Sequence, residues 1–155
     1  MVAEQMNWHV AQYNVVRLAH PIDSPEMQGF MDLLDPIHHA GDVSKGFIWR
    51  FKGENGDNAL DMRPSDGDEG ILIAMTVWET ADDLDAFMKG PHLEAFLRRR
   101  EWFVRGSGEN VCWYVRPGEL PTVKDGEQRL ALLQKHGPVS PLAWTLRRRQ
   151  EPPCG

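Results

Sequence analysis

The order of strand-like and helix-like periods along this chain predicts an α+β fold: a ferredoxin-like split βαβ domain, with a four-stranded antiparallel sheet and helices on one face. Three observations predict it. Apolar residues recur with a period of two in four separate stretches and with spacings of three and four between them, in the order βαββαβ plus one terminal helix. Gly and Pro punctuate the junctions. The third strand, Ile71–Trp78, is apolar on both alternating faces apart from Thr76, so it must be covered on both sides. Helices cover one side. In a chain of 155 residues the second cover is expected from a partner subunit's sheet, which makes the expected assembly a homodimer.

Each element has its own signal. Residues 8–18 read as strand one, rich in Val and aromatics, and His20-Pro21 ends it because Pro cannot pair in a ladder. Ser24-Pro25-Glu26 starts a helix with a cap, a first-turn Pro and an acid. Phe30, Leu33, Leu34 and Ile37 form its apolar stripe, and Pro36 predicts a kink or restart. Residues 45–52 read as strand two, with Phe47, Trp49 and Phe51 on one face and Ile48 and Arg50 on the other. Residues 53–70, rich in Gly and acids, read as a long loop with a short strand at 59–63. After strand three, Thr80 caps a helix that Gly90-Pro91 breaks, and a second helix runs over 92–103. Residues 110–116 read as strand four. Thr122 caps the terminal helix through Gln134, and residues 142–146 add a short edge strand. The domain is expected to span residues 1–146, with 147–155 a disordered tail.

Composition narrows the function classes. A net charge of −6 and a pI near 5.5 leave no overall electrostatic footprint for nucleic acid, and the basic runs 98–100 and 147–149 read as a solvated helix face and tail. No run of 18 apolar residues and no signal-type N-terminus occur, so no membrane span or export is expected. Cys112 and Cys154 make no disulfide framework, which fits a reducing cytoplasm. Six tryptophans suit a core, an interface or a pocket for a flat apolar ligand. No metal motif is present: His38 and His39 diverge by about 100° on a helix, and neither His-Glu-x-x-His nor paired Cys-x-x-Cys occurs. Haem ligation by one of the six histidines stays open at this point.

Several stretches carry a resemblance: His9-Val10-Ala11-Gln12-Tyr13-Asn14, Gly46-Phe47-Ile48-Trp49-Arg50, Thr76-Val77-Trp78-Glu79, His92 with Leu97 to Phe103, and Pro117 to Thr122. With them the chain resembles the dimeric α+β barrel superfamily of antibiotic-biosynthesis monooxygenases, haem-degrading monooxygenases, polyketide cyclases and muconolactone-type isomerases. Within it, the chain is most similar to a bacterial family known only as a domain of unknown function. The haem-degrading members' Asn-Trp-His triad falls on Asn14, Phe87 and Leu97, so two of its three residues, including the iron ligand, are replaced. That chemistry is not expected here.

The resemblance implies a small-molecule enzyme of bacterial secondary metabolism, free of organic cofactor and metal, acting on an aromatic or polyketide-like substrate. It also selects the helix-covered face of the sheet for the pocket. Strand parity then assembles a candidate site there. Gln12 and Asn14 share a face of strand one, with Arg50 and Trp78 on strands two and three. Trp49, Trp78, Phe87 and Trp102 would supply apolar walls, with Phe87 and Trp102 closing the cavity. His38 or His92 would act as general base near neutral pH, His38 ranking first because it follows an apolar helix stripe. Arg50 or the Asn14 amide would stabilise a developing enolate or phenolate. Each residue also has a structural account: His92 as a helix-start residue, His38 exposed, Asn14 satisfied by backbone, Arg50 in a surface or dimer ion pair, the tryptophans in the core. The same base serves oxygenation, in which a substrate carbanion passes an electron to O₂, and cyclisation or isomerisation, which needs no O₂. A non-catalytic protein binding haem or another hydrophobic ligand is the third class.

Overall fold

The computed structural model describes residues 8–52 and 63–153. Its strands are β1 (His9–Arg17), β2 (Phe47–Arg50), β3 (Ile71–Trp78) and β4 (Glu109–Val115). Its helices are α1 (Gln28–Asp42), α2 (Ala81–Lys89), α3 (Leu93–Leu97) and α4 (Val123–His136). The sheet order is β2-β3-β1-β4 with every pair antiparallel, as a split βαβ layout requires. The expected short strand at 59–63 lies, apart from Arg63, outside the described residues, and so does Cys154.

Local chemistry explains the boundaries. Thr80 accepts from the Asp83 N–H at 3.1 Å and starts α2. Thr122 and Asp125 form a reciprocal capping box at the start of α4, and Gly137 at φ +76° ends that helix. Ser24 starts only a 3₁₀ turn, Pro25–Met27, from which α1 continues without a break at Pro36. Asp32 and Pro36 are both exposed, so water can serve the carbonyl that Pro36 leaves without a donor. The helix expected over 92–103 is shorter: α3 stops at Leu97 and a 3₁₀ turn, Arg99–Glu101, carries the chain on.

The sheet separates two layers. Ala11 and Tyr13 of β1, Met75 and Val77 of β3, and Val111 and Trp113 of β4 alternate onto one face and are buried. Helix α4 covers that face. A Cβ added at Gly126 would sit 2.3 Å from the Tyr13 ring, and Arg129 stacks over Trp113 at 5.8 Å. The expectation of helices on one face therefore holds for α1 to α3, while α4 lies on the other. It packs on β4 and β1, and Met75 and Val77 of β3 are each 1% exposed on the same face, so the chain itself buries that side of the two-sided strand.

The C-terminal segment is also docked, contrary to the expected disordered tail after residue 146. Trp144 pairs with Cys112 as an added edge bridge, with N–H···O distances of 2.8 and 2.9 Å. Arg149 contacts Asp82 at 2.6 Å and Asp85 at 3.5 Å, and the Tyr114 hydroxyl donates to the Gln150 carbonyl. Among the described residues no helix is long and apolar enough to cross a membrane.

Candidate functional site

On the opposite face of the sheet, α1, α2 and α3 stand away from the strands and leave a cavity of about 590 Å³. This lies within the range of about 300–1,000 Å³ usual for small-molecule sites. Its floor comes from the side chains one residue out of step with the packed face. Gln12 and Asn14 come from β1, Ala74, Thr76 and Trp78 from β3, and Asn110 from β4.

β2 contributes through an irregularity. Phe47 pairs with Trp78, but Trp49 pairs with Val77, so a bulge at Ile48 resets the alternation. Phe47 and Arg50 thus share the cavity face with Trp78, and Trp49 joins Val77 on the packed face. The sequence reading, which assumed regular alternation, put Phe47 with Trp49 and made Trp49 a cavity wall; the bulge overturns both placements. Trp102 does not line the cavity either. It is buried beside α1, tilted against Phe30 at 5.6 Å and under the Arg98 guanidinium at 4.8 Å. Phe87 does line it, 5.2 Å from Trp78 and 5.9 Å from His92 between ring centroids.

A chain of hydrogen bonds orders the floor. Trp78 Nε1 donates to Thr76 Oγ1 at 2.9 Å, and Thr76 passes its own hydrogen to Gln12 Oε1 at 2.8 Å. An indole N–H can only donate, so Thr76 must accept there and has its single proton left for Gln12. This turns the Gln12 amide nitrogen away from Thr76, in a side chain only 4% exposed. Asn14 Oδ1 accepts from Asn110 Nδ2 at 3.4 Å. Cys112, on the same face, is pushed up to about 12 by burial, so it stays a thiol rather than a nucleophile.

Both candidate histidines line the cavity, while His39, one residue on, is exposed. His92 Nδ1 is sealed and has no hydrogen-bond partner among the described residues, which leaves Nε2 as the ring nitrogen open to the cavity. Burial, and then the neighbouring His38, hold the His92 pKa below the usual value near 6.5. Its place follows from the chain path: the His92 N–H donates to the Phe87 carbonyl at 3.1 Å as the Gly90-Pro91 break turns the chain from α2 into α3. Arg50 is held in a two-pronged contact with Asp42, Nε to Oδ1 at 3.0 Å and Nη2 to Oδ2 at 3.3 Å. That contact holds the Asp42 carboxyl below the usual carboxylate range. Arg50 is thus a neutralised charge on the cavity wall.

Sequence reasoning passed over four kinds of lining residue. Phe47 was hidden by the bulge. Thr76 had a signal, as the only polar residue in β3. Asn110 is legible only through its pairing with Asn14. Arg99, Arg100 and Arg105 line the cavity, although the run 98–100 reads as solvated. Among the described residues no group of three or more His, Cys, Asp or Glu could hold a metal ion.

Solved structures share this fold at low identity. A protein of unknown function from Nitrosomonas europaea, NE2512, aligns with a TM-score of 0.51 at 10% identity, covering 76% of this chain and 98% of its own. A conserved protein from Methanosarcina mazei Go1 gives 0.51 at 16%, covering 72% and 96%. SnoaB from Streptomyces nogalater, described as a cofactor-independent oxygenase, gives 0.50 at 16%, covering 74% and 98%. No curated protein matches the sequence. A family model described as a domain of unknown function, DUF3291, matches residues 9–154, and the chain belongs to that family.

Proposed function

We propose that this protein is a small-molecule enzyme that oxygenates an aromatic or polyketide-like substrate by base abstraction, without metal or organic cofactor. The observation that carries the reading is His92: a desolvated imidazole with one open nitrogen, in a cavity walled by Phe47, Trp78 and Phe87 and floored by amides. The shared fold with SnoaB, described as a cofactor-independent oxygenase, supports the same reading.

The chemistry follows from the groups present. A lowered pKa favours the neutral imidazole, and the tautomer with its proton on Nδ1 presents a lone pair on Nε2 able to take a proton from an acidic C–H. The oxygen of the resulting enolate or phenolate would accept from the amide of Gln12 or Asn14, in a site whose largely apolar walls strengthen such contacts. The carbanion gives one electron to O₂, and the radical pair joins as a C–O bond. Imidazolium returns its proton to make a hydroperoxide. Loss of the second C–H proton then breaks the O–O bond, and CH₂ plus O₂ becomes C=O plus water. Arg50, already committed to Asp42, takes a positioning role in place of the oxyanion role that the sequence suggested.

Oxygen uptake on a panel of anthrone-type CH acids and electron-rich phenols tests this. The expected result is one O₂ consumed per carbonyl formed, with His92→Asn slower by about 10²–10⁴-fold. Turnover that continues unchanged without O₂ would replace oxygenation by cyclisation or isomerisation at the same base. Full turnover in both His92→Asn and His38→Asn would remove the histidine base altogether.

A further inference from the structure

We infer that the substrate is an aromatic acid: its ring system fills the cavity and its carboxylate or phosphate sits at a guanidinium mouth formed by Arg99, Arg100 and Arg105. This deepens the proposed function and rests on that reading of the cavity.

The chain carries 23 acids against 17 Lys and Arg, yet four arginines line this one cavity, and three of them, Arg99, Arg100 and Arg105, are not held by Asp42 as Arg50 is. Their partners distinguish them from their neighbour Arg98. Arg98 is neutralised by Glu94 at 3.1 Å and Glu101 at 2.8 Å, stacks on Trp102, and does not line this cavity. Among the described residues the Arg99 guanidinium donates only to the Phe96 carbonyl, at 2.8 Å, and lies over the Phe96 ring. Arg100 and Arg105 have no ion pair among the described residues. The acid at the same mouth, Glu109, accepts from Gln134 Nε2 at 2.6 Å. A neighbouring apolar cavity wall strengthens a guanidinium–oxyanion contact, and the planar fork suits carboxylate or phosphate.

The mouth lies at one end of the cavity and the histidines at the other. Phe103 bridges to Leu18 and the Val104 N–H donates to the Arg17 carbonyl, which puts this segment beside the last residues of β1. His92 packs by Phe87 against Trp78, opposite Val10 near the start of β1. From Trp78 back to Leu72 the strand covers about 20 Å at ~3.3 Å per residue. An extended multi-ring acid would span it, reacting at one end and held by its anion at the other.

The test uses the intact protein and the uncharged dye N-phenyl-1-naphthylamine, whose fluorescence rises in apolar surroundings. 2-Naphthoate, 2-naphthyl phosphate and 2-naphthamide are the competitors. Either anion should displace the dye at about tenfold lower concentration than the amide, as two partly screened charge-assisted contacts allow; which anion is stronger identifies the acid. Arg100→Gln with Arg105→Gln should erase that advantage and leave dye and amide binding unchanged. Equal displacement by anion and amide overturns the proposal while the cavity reading stands. The same loss in Arg147→Gln with Arg148→Gln, which removes equal charge away from the cavity, would also overturn it. Ala74→Phe, which projects a ring into the cavity from β3, should abolish dye binding. Dye held undiminished by that variant would sit elsewhere and sink both readings.

Discussion

The two faces of the sheet are built from alternate residues of the same strands and have opposite characters. On β1, Ala11 and Tyr13 are sealed under α4, while Gln12 and Asn14 floor a cavity of about 590 Å³. On β3, Met75 and Val77 are 1% exposed, whereas Ala74 is exposed into the hollow beside them. The packed face is apolar and contains a glycine, Gly126, that lets a helix backbone press onto a tyrosine ring. The hollow face carries amides, a hydroxyl and a small alanine, ringed by aromatics. Amides facing a helix without close packing cost stability in a fold with no ligand, since each needs a hydrogen-bonding partner or water. That contrast, more than any single residue, argues that the hollow face is kept for a ligand and the other for stability.

The comparison can be broken from the packed side first. Trp113→Ala should lower unfolding free energy by about 3–5 kcal/mol, measured by urea denaturation, because it empties a large site that is only 1% exposed on that face. A loss below about 1 kcal/mol would mean that α4 does not seal the strands. Gly126→Ala sharpens the same point through its sign. In an ordinary helix the change stabilises by about 1 kcal/mol. Here the new Cβ would meet the Tyr13 ring, so a net loss of about 1–3 kcal/mol is expected. A rise in the urea midpoint would show α4 standing off the sheet.

The smallest effect belongs to the hollow face and its buried histidine. His92 has a folded pKa below the usual value near 6.5, so between those two values the unfolded chain binds a proton that the folded one does not. Its contribution to stability is therefore complete above the unfolded value and is lost as pH falls toward the folded one. Urea midpoints at about pH 7.5 and pH 5.5 should differ less in His92→Asn than in the parent. An unchanged difference would place the imidazole in water.

Much of the fold was legible because strand and helix periods are local. The parity of Gln12, Asn14, Thr76 and Trp78 follows from a period of two in strands without interruption, and the structure keeps that parity. Thr80 and Thr122 announced their helices because a cap is set within one turn. Phe47 and Trp49 were read onto one face, with Trp49 a cavity wall, because regular alternation was assumed; one residue of bulge separates them, and Ile48 carries no mark of it. Trp102 was misjudged because an aromatic residue after a helix can turn either into a cavity or under a neighbouring helix.

By itself, then, the sequence determined the elements, their order, the alternation on β1 and β3 and the need to cover β3 twice, since these rest on contacts a few residues apart and on the cost of bare apolar surface. Only the tertiary structure decided what provides the second cover. It seated α4 on Tyr13 and Trp113, docked residues 148–150, and brought His38, His92 and four arginines to one cavity. Those outcomes depend on which distant surfaces fit together, and no local period in the chain records that.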